Sequence, residues 1–437
     1  MHEGQSTPTE VDEFAKRLQE VLGEKRVNDV ARRCGWLRRT RKVTPLLLVA
    51  AVLSTLGSGP VKWLADILRT LRKLAGIALA YKPFHKQLAK RQTPELFRLL
   101  LEASLQEITQ PVLGAVRPKL AGFREIVIHD GSSFALKDDL RSTFPGRFTK
   151  ISPAAVELHV TMSLLEDNPH VVTLTPDKEA ERVYRPEAAS LRGCLFLADR
   201  GYEDRGFFHD VDKSGGSFIV RGKKNIRPVI RAAFDSAGKP IRKLVGKALS
   251  WDLLPRESVD LDIDWRIGNH VYRGRIVAFY KRDKRNRKTF VYLHTNLPRG
   301  TFSAVDVSQL YRLRWQVELL FKEFKSHANL HAFDTAKAAI AEAMIWASVL
   351  AALLKRSITH FAERVLGLEL STQRAAASGK HYFAPILKAL LASGVHLLGA
   401  AVNDALGFLG VNARRAHPKR DRERGRLAMG LEPLAIG

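Results

Sequence analysis

Cysteine is nearly missing from this chain: Cys34 and Cys194 are the only two, far apart and without CxxC spacing. That argues against a disulfide framework or a cysteine-held zinc and leaves both as small buried hydrophobes. Long apolar runs are missing too. Leu46 to Leu56 and Met344 to Leu354 are each too short to span a bilayer, and Glu342 and Lys355 flank the second. The opening MHEGQSTPTEVDEF has neither a basic start nor an apolar stretch, so no signal peptide is expected and the cytoplasm is the expected compartment. The 14 histidines contain no HExxH, and GxxxxGK[ST] is absent, which speaks against a zinc protease and a P-loop ATPase. No internal repeat or low-complexity tract occurs. Acid is scarce relative to base, with 45 Asp and Glu against 71 Lys and Arg, a net charge of +26. Such an excess repels itself in a compact chain and favours a polyanionic partner, nucleic acid before an anionic membrane.

Residues 1–120 read as a helical, basic domain. Val11, Phe14, Leu18, Val21 and Leu22 fall at helical spacing, Thr44-Pro45 opens a helix over LLLVAAVLSTL, and Gly57-Ser58-Gly59-Pro60 breaks it. Eight basic residues lie between Lys25 and Lys42. Residues 121–221 change character. Five apolar, β-branched runs (EIVIH from Glu125, VELHVTMSLL from Val156, HVVTL from His170, LFLA from Leu195, SFIV from Ser217) predict strands. Lys178 to Leu191 and the piece after Tyr202 are compatible with helix. Three strands, helix, strand, helix, strand is an α/β pattern, a mixed sheet with helices packed on it. Residues 222–300 are strand-like but more polar, with Val259 to Ile267 alternating, a turn at Asn269 and a return strand from Val271 to Phe279. They read as a β-rich insertion. Residues 301–355 and 356–437 read as helical, closing in a tail, Arg414 to Arg426, that carries seven bases against two acids.

The chemistry concentrates in three places. The first is a helix predicted over Leu310 to Lys325. At 100° per residue, Tyr311, Arg314, Glu318 and Lys325 fall within about 60° on one stripe. Leu310, Leu313, Val317, Leu320, Phe321 and Phe324 form an apolar stripe about 100° away. A carboxylate on that border reaches a cleft with cations beside it; a solvated charged face gives the same spacing. The second is His129-Asp130-Gly131, with Asp130 directly after the first strand, where α/β sheets bind ligands; a plain Asp-Gly turn reads the same way. The third is Asp199-Arg200-Gly201-Tyr202 after the fourth strand, where a helix N-cap is the competing reading. Asp260, Asp262 and Asp264 alternate on one strand and read as a solvated face, and Glu157 and His159 as sheet-face residues. Asp138 and Asp139 lie too far past the strand to replace Asp130.

The spacing Tyr311-(2)-Arg314-(3)-Glu318-(6)-Lys325, within LYRLRWQVELLFKEFKS, resembles the YREK signature of DDE-class insertion-sequence transposases, the large family named after insertion sequence four. The Asp-Gly after the first strand and the Asp-Arg-Gly-Tyr at Asp199 resemble that family's first and second acids. The resemblance covers roughly residues 30 to 350. It implies an RNase H-like sheet whose first and fourth strands lie side by side, so that Asp130, Asp199 and Glu318 converge as catalytic and metal-holding acids. Two Mg²⁺ ions, replaceable by Mn²⁺, would be held by hard oxygen ligands, suiting in-line phosphodiester transfer. Tyr311, Arg314 and Lys325 would contact DNA near the cleaved phosphate. Arg38, Arg39, Arg41 and Lys42 lie in a stretch resembling the family's N-terminal DNA-binding region, with Trp36 between Arg33 and Arg38. Lys223 and Lys224, with Arg221 and Arg227, follow the fifth strand and can bind phosphate, or serve as solubilising charge.

The implied activity is cut-and-paste transposition: binding of terminal inverted repeats in double-stranded DNA, metal-dependent cleavage through a hairpin intermediate, and strand transfer. A homodimer in the synaptic complex is the implied assembly, the bacterial nucleoid the implied location, and no membrane is involved. The alternatives are a DNA-binding remnant or regulator that does not cut, and a structure-selective nuclease on the same RNase H-like sheet.

Overall fold

The structure is a computed structural model. It describes residues 8–433 apart from positions 40, 60, 62, 116–117, 269, 283–284, 329, 331–333, 393 and 418–430. Asn269 and most of the basic tail therefore lie outside the described residues. The chain begins with α1 (Pro8–Leu22), α2 (Glu24–Arg33), α3 (Pro45–Ser58), α4 (Leu64–Ala75), α5 (Tyr81–Leu88) and α6 (Thr93–Glu107). The start of α3 is as expected: the Thr44 hydroxyl accepts from the Leu47 N–H at 3.2 Å, and Pro45 occupies the first turn. α3 is buried on nearly every side, as a helix apolar all round must be. A short strand β1 (Leu113–Ala115) and a single turn α7 (Pro118–Ala121) lead into the sheet.

The sheet strands are β2 (Glu125–Ala135), β3 (Ala155–Ser163), β4 (Asn168–Pro176), β5 (Cys194–Ala198), β6 (Ser217–Arg221), β7 (Val229–Phe234), β8 (Val259–Ile267), β9 (His270–Arg282) and β10 (Lys288–Thr295), with α8 (Arg205–Lys213) between β5 and β6. They form one nine-stranded sheet in the order β4-β3-β2-β5-β6-β10-β9-β8-β7. β2 pairs antiparallel with β3 and parallel with β5, and β5 runs parallel to β6. The first and fourth strands of this α/β core are thus neighbours, the RNase H-like arrangement expected. The four strands from residues 229–295 continue the same sheet through the β6–β10 pair.

Two expectations fail here. Lys178 to Leu191 is not an α-helix but two 3₁₀ turns, Glu181–Tyr184 and Ala188–Leu191. Pro186 disfavours helical geometry at Arg185, which is extended with ψ 156°. Nor is the strand face of Asp260, Asp262 and Asp264 solvated at its Asp260 end, although Asp262 and Asp264 stay partly exposed. Asp260 is buried and paired to Arg275 at 2.7 Å and Arg299 at 3.0 Å, while Asp262 meets Arg299 at 2.7 Å. Burial opposes the Asp260 charge, but the two guanidinium groups outweigh it and hold the carboxyl below its usual range. Alternation identified the face correctly but could not say that Arg299, from a later loop, covers it.

After the sheet come α9 (Ala304–Arg312), α10 (Trp315–His327), α11 (Ala338–Leu366), α12 (Thr372–Ala377), α13 (Gly379–Leu391) and α14 (Val395–Asn412). The chain closes on β11 (Leu431–Pro433), antiparallel to β1. α11 is long and apolar enough to cross a membrane by length and composition alone, yet 83% of its most apolar window is buried inside the protein. It packs against α6 and α3, and one apolar core runs from the N-terminal helices through one sheet face to the C-terminal helices. A second core, built on Phe196, Phe208, Phe218 and Trp265, lies under α8 and the residue 229–295 strands.

Candidate active site

The β2–β5 pairing sets the two strand acids. The parallel register ends at His129 opposite Ala198. Asp199 is the residue after β5, whereas β2 runs on through Asp130 to Ala135, paired with β3 alone. Asp130 therefore does not follow the strand, as expected, but sits within it, where its neighbour on one side stops. Both carboxylates emerge at the carboxyl end of a parallel pair, where the backbone leaves an open crevice. Gly131 leaves room for a close approach: a Cβ there would lie 2.4 Å from Glu157 Oε1, so the glutamate's end would have to shift.

Glu318 arrives on a helix with a break. The expected single helix is α9 and α10 joined at Leu313-Arg314. The N–H groups of Leu313, Arg314, Gln316 and Val317 donate three residues back instead of four, at 3.0 to 3.3 Å. This tight turn leaves the stripes usable. The six apolar residues Leu310, Leu313, Val317, Leu320, Phe321 and Phe324 are all buried. Leu313 and Val317 anchor the turn inward, so Tyr311, Arg314 and Glu318 all face the strand acids.

Arg314 is the centre of the site. Its Nη1 donates to Asp130 Oδ2 at 3.0 Å and its Nη2 to Glu318 Oε1. The Tyr311 hydroxyl donates to Asp199 Oδ1 at 3.3 Å, and Arg221 Nη1 lies 3.7 Å from the same oxygen. The Arg314 guanidinium also lies 5.8 Å from the Tyr311 ring centre. Asp199 occupies the N-cap position of the Arg200–Tyr202 turn but makes no side-chain cap. The competing N-cap reading therefore describes its place and not its bonds. Lys325 donates to Ser133 O at 3.1 Å, fastening α10 to β2. Burial pushes the Asp130 carboxyl up to about 6, against the pull of Arg314 and with Asp199 and Glu318 adding like charge. Burial likewise holds the Tyr311 phenol protonated.

Among the described residues, no three His, Cys, Asp or Glu side chains are gathered as a ready metal site. The donor set nevertheless suits a hard divalent cation: carboxylate oxygens only, all partly exposed, two of them already bridged by a cation in the form of Arg314.

The other predicted residues separate from this centre. Arg38, Arg39, Arg41 and Lys42 are exposed on the α2–α3 loop. Trp36 is buried there, donating to Thr93 Oγ1 at 3.1 Å with Lys90 3.8 Å from its ring centre, so it anchors the loop and does not touch a ligand. Lys90 is depressed by burial and by Arg41 and Arg38, the mark of a crowded basic patch. Lys223 and Lys224 are exposed beyond β6; the Lys223 N–H binds Glu203 at 2.6 Å and Lys224 Nζ binds Thr289 at 3.0 Å. Asp138 and Asp139 are exposed in a 3₁₀ turn beyond β2. Sequence reasoning gave Arg221 no role at Asp199 and did not find the Arg147–Glu157–Glu181 cluster beside Gly131. An arginine closing a strand parallel to the acid-bearing strand was the available signal for Arg221.

A family model described as "Transposase DDE domain" matches residues 121–354. The transposase for insertion sequence element IS421 of Escherichia coli is 27% identical over 213 residues, 48% of this chain and 52% of its own length. The chain thus spans about half the length of that relative. The transposase for insertion sequence element IS231F of Bacillus thuringiensis subsp. israelensis is 22% identical over 406 residues, 83% of each chain. A solved structure, the piggyBac transposase synaptic complex with hairpin DNA, covers 96% of this chain and 90% of its own at 10% identity and a TM-score of 0.44, too loose a likeness to place any residue.

Proposed function

The chain belongs to the transposase DDE domain family, and from that premise we propose that it is the transposase of an insertion sequence of the insertion-sequence-four kind. In this reading it binds the element's terminal inverted repeats, cuts DNA in a metal-dependent step and joins the freed 3′ hydroxyl to target DNA. The observation that carries it is the convergence of Asp130, Asp199 and Glu318 on Arg314 and Tyr311, from two parallel strands and one helix, in a chain of net charge +26.

Asp130, Asp199 and Glu318 would hold two Mg²⁺ ions, with Mn²⁺ able to replace them. Bound there, such ions activate the attacking hydroxyl and stabilise the leaving oxygen. The chain's own side chains do the rest. Arg314, released from the carboxylates, is a bidentate donor suited to a phosphate. Tyr311 stays a neutral donor at neutral pH, and Lys325 and Arg221 add charge at the two ends of the site. Arg38, Arg39, Arg41 and Lys42 bind the backbone of the element end, and Lys223 and Lys224 a second stretch of it. These contacts carry affinity rather than sequence information. Two ends cut together call for a homodimer in the synaptic complex. The bacterial cytoplasm, at the nucleoid, is where such substrates lie.

A strand-transfer assay tests the reading, using a short duplex carrying the terminal sequences that flank the gene. Products joined to target in Mg²⁺ are expected. Cleavage without joining would indicate a structure-selective nuclease, and binding without cleavage a non-catalytic remnant.

The raised Asp130 gives a pH prediction. Its folded value, about 6, lies above that of an unfolded aspartate. Between those two values the folded chain holds the extra proton, so this group's contribution to stability falls as pH rises and is gone above about 6. A divalent ion needs the ionised form. Calorimetric titration of Mn²⁺ into the protein at pH 5.5 should therefore release about three-quarters of a proton per site, and at pH 7.5 close to none. Equal release at both pH values would remove Asp130 from the ligand set.

A further inference from the structure

The sheet that carries the acids has a second face, and there it is both buried and polar. Side chains alternate along a strand, so Asp130 and His129 point to opposite faces. Asp130 meets Arg314 on one. On the other, His129 stands opposite Thr161, and Glu157, His159, Thr161 and Ser163 of β3 share its face, all of them buried. Glu157 is 2% exposed, and an arginine fork ties it to the 3₁₀ turn that covers this face. Arg147 Nη2 donates to Glu157 Oε2 at 3.2 Å and Arg147 Nη1 to Glu181 Oε1 at 3.4 Å. The Arg147 N–H donates to Asp177 Oδ2 at 3.0 Å, which fixes the arginine's own backbone. The two remaining carboxyl oxygens lie against glycines. A Cβ on Gly131 would stand 2.4 Å from Glu157 Oε1, and a Cβ on Gly201 would stand 3.1 Å from Glu181 Oε2. Gly131 follows Asp130 directly, and Gly201 is the second residue after Asp199. Tyr202 joins the same two segments through its ring, edge-on to His129 with centres 4.9 Å apart.

A buried carboxyl in a sheet costs desolvation that an apolar side chain would not, so packing alone does not account for Glu157. Neighbouring carboxyls in such a place cannot both ionise freely. Burial first, then the Glu181 charge, push Glu157 well above the usual carboxylate range, against the pull of Arg147 and with Asp177 adding like charge. At neutral pH the pair therefore shares a proton, and Glu157 donates to Glu181 instead of repelling it. Two ionised groups would drive the glycines apart, and two apolar ones would leave them unlinked. We propose that Glu157 and Glu181 are a positioning pair that acts from the reverse face of the sheet, setting the separation of Asp130 and Asp199 by holding Gly131 and Gly201 in register. Divalent ions make that separation matter, because their ligand distances are fixed to within about 0.2 Å. Neither glutamate touches DNA or the reacting atoms in this role. It rests on the metal-holding reading of the three acids above.

Calorimetric titration of Mn²⁺ into the full chain, without DNA, reads the geometry of the acids directly. Glu157→Leu and Glu181→Ala should each weaken Mn²⁺ binding about tenfold or more, the usual cost of losing a group that orients metal ligands. Glu157→Gln should stay within about threefold of wild type, because an amide donates to Glu181 and accepts from Arg147 as the protonated carboxyl does. Combining Glu157→Leu with Glu181→Ala should cost no more than either alone, since each by itself breaks the pair. The Mg²⁺ concentration that half-saturates cleavage should rise in step, with duplex affinity changed less than about threefold. The Glu181 side chain is 31% exposed, so its loss should leave the melting temperature unchanged and separates displaced acids from unfolding. The positioning role is overturned if Glu157→Leu and Glu181→Ala bind Mn²⁺ as the wild type does, or if Glu157→Gln is as damaging as Glu157→Leu. Either result leaves the three acids as metal holders, whereas a wild-type chain that binds no Mn²⁺ overturns that reading and the pair's role together.

Discussion

Asp130→Asn should lower Mg²⁺-dependent strand cleavage by about 10³-fold or more, about 4 kcal/mol of barrier, with duplex binding changed less than about threefold. The size follows from where the carboxylate sits. It is 19% exposed, lies between Asp199 and Glu318, and takes a hydrogen bond from Arg314 at 3.0 Å. An amide there keeps the shape but loses the charge on which a divalent cation depends. It also leaves Arg314 with one carboxylate instead of two, so the guanidinium shifts toward Glu318. Asp199→Asn and Glu318→Gln should be comparably inactive. The split between cleavage and binding is the diagnostic, because the exposed cations of the α2–α3 loop and of the segment after β6 are untouched. Gel-based cleavage and fluorescence anisotropy on the same duplex measure the two. Near-wild-type cleavage by any of the three variants would remove that acid from the site.

Arg356→Met should destabilise the fold by about 3–5 kcal/mol, the cost of stranding buried charge. The Arg356 guanidinium is 5% exposed and meets Glu323 at 2.8 Å, Asp167 Oδ2 at 3.3 Å, Asn168 at 3.3 Å and Thr372 at 3.2 Å. It ties α11 to α10, α12 and the β3–β4 turn, where Asp167 holds a positive φ of 49°. Glu323 lies five residues beyond Glu318 on α10, so the network also sets the height of the helix that carries the third acid. Removing the cation leaves two buried carboxylates without it. Adding Glu323→Leu to Arg356→Met should recover part of the loss, because an apolar pair is tolerated where half an ion pair is not. Urea unfolding midpoints measure the stability, and cleavage by the folded fraction measures the displaced Glu318. A single Arg356→Met variant as stable as wild type would show that the network contributes nothing net.

The parts of this molecule legible in its sequence are those with a local period or a local cap. The apolar stripe from Leu310 to Phe324 is buried as its spacing implies. The strands of the α/β core lie close to where β-branched runs place them, and the Thr44-Pro45 helix start is the one its capping chemistry predicts. The failures involve partners distant in sequence. Asp260, Asp262 and Asp264 alternate like a wet face, and only Arg275 and Arg299 bury its Asp260 end. Lys178 to Leu191 has a helical composition, but Pro186 and the packing under it give two short turns. Arg147 is an ordinary loop cation until the fold sets it against Glu157 and Glu181.

By itself the sequence determined the charge that calls for a polyanion, the elements, and the four-residue spacing that puts Tyr311, Arg314, Glu318 and Lys325 on one side of a helical segment. Those follow from composition and from rotation per residue, which need no knowledge of the rest of the chain. Tertiary structure alone decided that Asp130 and Asp199 stand side by side, because strand order is set by which faces can be buried together and not by proximity in the chain. It also decided that Arg314 bridges Asp130 and Glu318 and that the Leu313-Arg314 turn breaks the helix. Contacts between elements far apart in sequence exist only once one shared core holds those elements in register.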